Sequence, residues 1–365
     1  MRGLIDETEI YNVKIRKVDL EKLLHNEKVK RHIGAGNKIY LEDYATRKEV
    51  NFDLLNIDDK YMFDTLQIGS KVNKDFVHEY LHISMFVSDL ESERHNLEPL
   101  TKAEYESKCN KVENYIEKEY GLTLNLKEKK FKLLALNRTF EIEQETDKYW
   151  ELFELILLLA PAKYKTKDFM LNGVNEVIGV YLENGLTKIK IYDKTKQLKN
   201  EKGIELDRQY MRIEVVLKEE KKIKQVLGTN LVSDIADKQL EQCFNSIVQE
   251  DIFNKIDEYL IESKKQLYKI AKEEKKRNKL NWTRNFLLKS GHGGIKYKKR
   301  GKPTKADLLF DIEQSLEIIK EETKSNYKKR LKTLEKDIDD FDSKKNNLVR
   351  YNEIKNKTLL QNYKY

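Results

Sequence analysis

The pattern of apolar and polar positions changes twice along the chain. Residues 1–55 carry only short signals. Val18 to Val29 predicts a short helix, Gly34-Ala35-Gly36-Asn37 a turn, and Lys38-Ile39-Tyr40-Leu41 a strand. The GxG in that turn has no third glycine and no strand-to-helix setting, so it is not read as a nucleotide loop. From Tyr61 the texture is denser. Met62 to Gly69 alternates like a half-buried strand, and residues 74–90 predict a helix. Leu100 to Glu119 predicts another helix, capped by Thr101 with Glu104 three residues on. Lys130 to Gln144 is a long strand candidate, and Asp147 is placed as the cap of an apolar helix that Pro161 closes. Glu176 to Leu182 and Thr187 to Tyr192 predict a hairpin about Asn184-Gly185, and Gln209 to Lys218 a further strand.

After Gly228 the pattern is helical to the end, apart from a glycine-rich stretch at 291–303. Thr229 to Ala271 fits one or two amphipathic helices. From Leu309 a seam recurs at three or four residues: Ile312, Leu316, Ile319, Thr323, Tyr327, Leu331, Leu334, Ile338 and Phe341. It suits a helix packed on its own domain and a homodimer seam equally. The fold class these elements predict is α+β: a mostly antiparallel sheet with helices, followed by an all-α C-terminal region. The expected segments are 1–55, small and mixed; 56–225, α+β; 226–300, helical and basic; and 301–365, a C-terminal amphipathic or coiled helix.

Composition narrows the classes. Of 365 residues, 37% are charged and 39% hydrophobic, which is polar but sufficient for a core, so wholesale disorder is not expected. Cys109 and Cys243 are far apart and form no CxxC, which argues against a thiolate zinc site or a disulfide framework and for a reducing, cytoplasmic setting. Met1 to Glu7 has no apolar core of a signal peptide, and Leu152 to Pro161 is too short to span a bilayer, so no membrane is expected.

Charge is unevenly placed. Residues 261–310 hold 16 Lys/Arg against 4 Asp/Glu, a local +12, whereas the first 260 residues sum to −6 within a total of +8. Lys and Arg interleaved with Trp and Tyr suit a phosphate backbone with stacking options. The candidate nucleic-acid contacts are Lys275, Lys276, Arg277, Trp282, Arg284, Lys298, Lys299 and Arg300. A solvated, lysine-rich linker is the plain alternative.

Polar groups also sit on the strand candidates where apolar ones would pack better. Glu141 and Glu143 lie two apart on one expected strand and so share a face; Tyr192-Asp193-Lys194 ends the hairpin; Arg212 and Glu214 share a face of the next strand. A tyrosine, a lysine and carboxylates about one sheet surface suit metal-assisted phosphoryl transfer: the phenol attacks a phosphodiester, and a cation on carboxylate oxygens neutralises the phosphate. Each element alone is commonly packing or solvent face.

Ile189-Lys190-Ile191-Tyr192-Asp193-Lys194-Thr195-Lys196, with Gly173 and Asn175 before it and Met211-Arg212-Ile213-Glu214-Val215 after it, resembles the replication-initiation proteins of small rolling-circle plasmids and related phages. Phe63-Asp64-Thr65 resembles the strand that opens their catalytic domain, and the likeness spans about residues 60–225. It implies an endonuclease and strand-transferase that nicks one strand of origin DNA, leaving a 5′-phosphotyrosine link and a free 3′-OH. It implies Tyr192 as nucleophile, Lys194 and Arg212 in its surround, Mg²⁺ or Mn²⁺ as cofactor, and Glu141 and Glu143, grouped with Glu214, as metal ligands. The partners it implies are origin DNA, both supercoiled and single-stranded, and the host replication machinery. Many rolling-circle nucleases bind metal with a His-hydrophobe-His pair, and the sequence has none.

Two other readings stand beside it. His78-Glu79-Tyr80-Leu81-His82 matches H-E-x-x-H on a predicted helix, the spacing of a zinc metallopeptidase, with Glu91, Glu93 and His95 as the nearest third ligands. A non-catalytic DNA-binding protein of plasmid maintenance or copy control would keep the basic block and need no active site.

Overall fold

The computed structural model describes residues 3–11, 13, 15–32, 39–52, 54–57, 65–73, 76–86, 97–126, 130–291, 304–337 and 347–359. The first elements are β1 (Ile5–Tyr11), β2 (Lys17–Val18), α1 (Leu20–His25), β3 (Val29–His32), β4 (Ile39–Glu42), β5 (Glu49–Phe52), β6 (Leu54–Ile57), β7 (Thr65–Asn73) and β8 (Phe76–Phe86). Next come α2 (Lys102–Tyr120), β9 (Leu122–Thr123), β10 (Lys130–Glu141), α3 (Trp150–Leu159), β11 (Thr166–Leu171), β12 (Val177–Glu183), β13 (Thr187–Asp193), α4 (Lys194–Lys202) and β14 (Tyr210–Leu217). The rest is helical: α5 (Glu220–Leu227), α6 (Asp237–Val248), α7 (Asn254–Arg277), α8 (Trp282–Gly291), α9 (Lys305–Thr323), α10 (Tyr327–Asp337) and α11 (Asn347–Leu359).

The fold is α+β. Its main sheet runs β11-β12-β13-β14-β10-β1-β8-β7-β6-β3, with two small pairs, β2-β9 and β4-β5. β1 is antiparallel to both β10 and β8, and β8, β7, β6 and β3 are successively antiparallel. The chain divides into two compact units. One comprises Met1–Thr139, Glu183–Lys190 and Arg212–Ser246; the other Phe140–Leu182, Ile191–Met211 and Ile247–Tyr365.

In the first unit α2 forms as its sequence predicts. The Thr101 hydroxyl accepts the Glu104 N–H, and the Glu104 carboxylate accepts the Thr101 N–H at 2.8 Å, a complete capping box. Tyr105, Cys109, Val112, Ile116 and Tyr120 recur at three or four residues and are buried. The Tyr105 ring meets Phe131 at 5.7 Å, and its hydroxyl is 3.0 Å from that of Thr8 on β1.

Residues 74–90 are the largest departure from the expected pattern. Phe76–Phe86 is a strand that pairs with β7 over nine positions, from Thr65↔Ser84 to Asn73↔Phe76. Val77, Leu81 and Met85 are spaced by four, which fits one face of a helix and one face of a strand alike. Long antiparallel pairing decides between them. The shorter helix at Leu20–His25 is flanked by β2 and β3 where a single helix over 18–29 was expected. Met62 to Asp64, and hence most of Phe63-Asp64-Thr65, lie outside the described residues.

In the second unit a short 3-10 turn, Thr146–Tyr149, precedes α3. Asp147 lies exposed inside that turn and does not cap the helix, whose N-terminus has no side-chain cap. The helical region has its own core: Leu267 and Ala271 of α7, Trp282, Phe286 and Leu287 of α8, Leu316, Ile318 and Ile319 of α9, and Leu334 of α10. Ile312, Tyr327 and Leu331 pack against it. These are members of the expected seam, so that apolar stripe closes on its own chain over 312–334. The helix also breaks at Lys324, where φ is +40°. Ile338 and Phe341 lie outside the described residues.

Candidate active site on the sheet

β14 is buried along nearly its whole length, as befits a strand inside the sheet. Met211, Ile213, Val215 and Leu217 take one face; Arg212 and Glu214 fall on the other and are 1% and 4% exposed. Burying a guanidinium and a carboxylate costs several kcal/mol per ion unless each finds partners, roughly speaking. Both do. The Arg212 Nε donates to the Thr139 hydroxyl at 2.8 Å, and its Nη1 reaches the Asp6 carboxylate at 3.5 Å. Glu214 is ion-paired with Lys190 of β13. One oxygen of Asp6, Oδ1, is buried without a hydrogen-bond partner.

Asp6 and Glu7 reach this face because β1 bulges there. Ile5 pairs with Leu136 and Thr8 with Leu134, so three steps of β1 oppose two of β10. Such a bulge re-aims side chains that strict alternation would send to opposite faces. The Glu7 carboxyl is pushed up to about 7, first by burial and next by the negative charge of Glu214, with Lys190 pulling the other way. A carboxyl near neutrality beside an ion pair is poised to take or give a proton at physiological pH. Farther along β1, Glu9 is paired with Lys132 at 3.1 Å.

Tyr192 is the sixth residue of β13, two beyond Lys190, so strand alternation puts both on one face. It is 3% exposed. Its strand runs hard against β12: a Cβ on Gly179 would lie 2.1 Å from the Ile191 carbonyl oxygen and 2.6 Å from the Tyr192 Cα. Only glycine permits that approach. β13 then ends abruptly. Asp193, fully buried, accepts the Lys196 N–H at 2.8 Å and the Thr146 hydroxyl, and so caps α4. Burial leads the causes that hold its carboxyl above the usual range.

Lys194 is therefore the first residue of a helix, and its Nζ donates to Gln197 at 2.9 Å. The expected Tyr192–Lys194 pairing on one strand does not form; Lys190 takes the face that Lys194 was expected to share. Glu141 is exposed and bound to Arg208 at 2.6 Å, and Glu143 lies past the end of β10. The two do not share a strand face. Among the described residues, no three His, Cys, Asp or Glu side chains converge as a metal cluster. Asp6, Glu7 and Lys190 were missed by the sequence reading; the signal available for Lys190 was its i, i+2 spacing to Tyr192.

His78 and His82 stand on β8, not on a helix. Four residues along a strand cover about 13 Å, whereas two zinc-bound imidazole nitrogens each lie about 2 Å from the metal. The H-E-x-x-H reading is overturned by that geometry. Glu91, Glu93 and His95 lie outside the described residues.

In the basic region, Lys276, Arg277 and Arg284 are exposed. Lys275 is ion-paired with Glu322 and sits 4.8 Å over the Trp282 ring. Trp282 is 6% exposed and belongs to the helical core, so it offers no open face for stacking a base. Lys298, Lys299 and Arg300 lie outside the described residues. Among the described residues, no helix is long and apolar enough to cross a membrane.

No protein-family profile matches the sequence, and no characterised protein matches it significantly. Among solved structures, the chain is similar to the rolling-circle replication initiator protein from Geobacillus stearothermophilus. The two are 13% identical, the match covers 68% of this chain and 86% of that one, and the TM-score is 0.33.

Proposed function

We propose that the chain is a replication initiator of the rolling-circle type, which nicks one strand of origin DNA through Tyr192. The observation that carries the reading is the Lys190–Glu214 pair beside a Glu7 carboxyl held near pH 7, on the strand face that alternation gives to Tyr192. The motif order Tyr192-Asp193-Lys194 then Arg212-Ile213-Glu214 and the +12 block at 261–310 support it.

In this reading the phenol oxygen of Tyr192 attacks the phosphorus, and its proton passes to the Glu7 carboxylate. The P–O3′ bond breaks and the 3′ oxygen takes a proton, giving a free 3′-OH and a 5′-phosphotyrosine. Lys190 and Arg212 offset the charge that builds on the phosphate oxygens. Mg²⁺ or Mn²⁺, which commonly keeps water and uses one or two carboxylates plus phosphate, would neutralise that phosphate; Asp6, whose Oδ1 has no hydrogen-bond partner, is the carboxylate that suits it. Because Tyr192 is 3% exposed, DNA engagement must uncover it. That burial favours a second reading, a DNA-binding protein of plasmid maintenance without catalysis.

One experiment separates the two. The protein is incubated with supercoiled cognate DNA and Mg²⁺ or Mn²⁺. Relaxed product carrying protein on a 5′ end, absent with Tyr192→Phe, is the expected outcome. Binding without relaxation would leave the non-catalytic reading standing.

A further inference from the structure

α7 and α8 meet at a sharp corner. α7 ends in Lys275, Lys276 and Arg277, the chain turns over residues 278–281, and α8 begins at Trp282. The corner is held from beneath by the packing of Trp282, Phe286 and Leu287 on Leu267 and Ala271. At its apex Leu280 is 88% exposed, between Lys279 and Asn281. A single exposed leucine is ordinary on a protein surface. This one follows by two residues Asn278, which lines a cleft of about 340 Å³ with Glu274, Arg277, Asn285, Leu288 and Lys289.

The lining combines charged, carboxamide and apolar side chains. Glu274 is 2% exposed and ion-paired with Lys289. Two carboxamides, Asn278 and Asn285, can each donate and accept. Arg277 and Lys289 bring positive charge, and Leu288 brings an apolar wall. The volume sits at the small end of ligand sites, about 300–1,000 Å³. A base needs hydrogen-bonding edges and an apolar face, and its phosphate needs cations. The cleft supplies all three within one corner.

Resting on the DNA reading above, we infer that this corner binds one unstacked nucleotide of a DNA strand. Leu280 wedges against the neighbouring base step, and the cleft takes the displaced base, with Asn278 and Asn285 on its edge. Arg277 and Lys289 face the adjacent phosphates. Apolar side chains inserted at a base step, flanked by cations, are a known way for proteins to open a stack.

The test uses the full chain and a short DNA duplex with one unpaired 2-aminopurine, against the same duplex fully paired. Anisotropy reads affinity and 2-aminopurine emission reads unstacking. Since a bulged base has already lost most of its stacking, the bulged duplex should bind about tenfold tighter. Its emission should change on binding. Leu280→Ala and Asn285→Ala should remove that preference while retaining affinity for the paired duplex. Equal affinity for both duplexes, or a preference untouched in both variants, overturns the inference. So does failure to bind either DNA. Equal binding of the matching RNA bulge refutes the choice of DNA, and displacement by free deoxyadenosine monophosphate at similar concentration refutes a strand-held nucleotide. Nicking by the unaltered protein is scored separately. Nicking without a bulge preference sinks only this inference; a bulge preference without nicking sinks only the catalytic reading.

Discussion

Lys190 of β13 and Glu214 of β14 are ion-paired across neighbouring strands, and Glu214 is only 4% exposed. A buried carboxylate in a sheet is a poor way to gain stability, because desolvation offsets most of the attraction. The same positions filled by valine or isoleucine would pack at least as well. The pair sits instead beside Arg212, Asp6 and Glu7, a concentration of charge on one face of an otherwise apolar strand set. Such a cluster of perturbed and paired charges is expected of a functional face more than of a packing layer.

Lys190 and Lys194 are expected to behave differently. Lys190→Ala removes a charge from the proposed site, and nicking should fall by about a hundredfold, as for loss of one preorganised donor. Lys194→Ala truncates the first residue of a helix, held through Gln197, and nicking should change little. Relaxation assays on both variants, with circular dichroism to confirm folding, decide this. Equal losses would show that the site does not lie on the Lys190 face.

Some of this was legible in the sequence and some was not. The capping box at Thr101 and Glu104, the hairpin about Asn184 and the strands at 130–141 and 210–217 depend on local signals that survive in the fold. Asn184 shows why: its side-chain oxygen accepts the N–H groups of Leu186 and Thr187, each at 2.8 Å, a turn encoded within four residues. β8 was not legible, because a spacing of four fits helix and strand equally and only its pairing with the preceding strand, β7, decides between them. Asp6 and Glu7 were hidden for a related reason. Their strand has few apolar residues, and a one-residue bulge, which no periodicity announces, gives them their aim. Lys194 was misplaced because Asp193 ends the strand and starts a helix at the same residue.

Arg212 should be more costly to remove alone than with its partner. Arg212→Met leaves the Asp6 carboxylate and the Thr139 hydroxyl without their guanidinium, a loss of about 3–5 kcal/mol for a broken buried pair. Adding Asp6→Leu should recover part of that loss, because the stranded charge is gone. Urea unfolding of the two single variants and the double variant gives the coupling directly. Strict additivity would mean that the 3.5 Å contact carries no energy.

Gly179→Ala tests how Tyr192 is placed. The added methyl meets the backbone of Ile191 and Tyr192 at distances no real Cβ tolerates, so β12 and β13 must part. Stability should fall by about 1–3 kcal/mol, the usual cost of overpacking. Nicking should fall with it, whereas Gly185→Ala, with open space at its Cβ, should change neither by much. Thermal melts and relaxation assays on both variants check the contrast.

The basic corner holds three exposed cations, Lys276, Arg277 and Arg284, beside Lys275, which packs on a neighbouring helix and ring. Neutralising Lys276, Arg277 and Arg284 should flatten the slope of log affinity against log salt by about 0.9 for each one that contacts a phosphate. Lys275→Gln should do less, since that side chain is held by Glu322 and Trp282. Trp282→Ala should leave the slope alone and unfold the helical core, at about 3–5 kcal/mol. A tryptophan variant that stayed folded but lost DNA affinity would instead make Trp282 a contact residue.

Glu7 makes the pH dependence specific. Its carboxyl is pushed up to about 7 from an ordinary value of 4.5, so the folded protein holds a proton there that the unfolded chain has released. Stability from this group is full below the ordinary value and is lost as pH rises through about 7. Glu7→Gln carries a neutral group at every pH. It should therefore match the parent near pH 5 and be more stable at pH 8, by about 1–2 kcal/mol once solvent screening is allowed for. Nicking should move oppositely. The parent's rate should rise with pH as Glu7 gives up its proton and becomes able to accept that of Tyr192, with an apparent midpoint near 7. Glu7→Gln should be slow throughout and lose that midpoint. Unfolding curves at the two pH values and a pH–rate profile for each protein give both readings. A stability gain that does not grow between pH 5 and 8 would place Glu7 in solvent, and an unchanged rate profile would remove it from the proposed proton transfer.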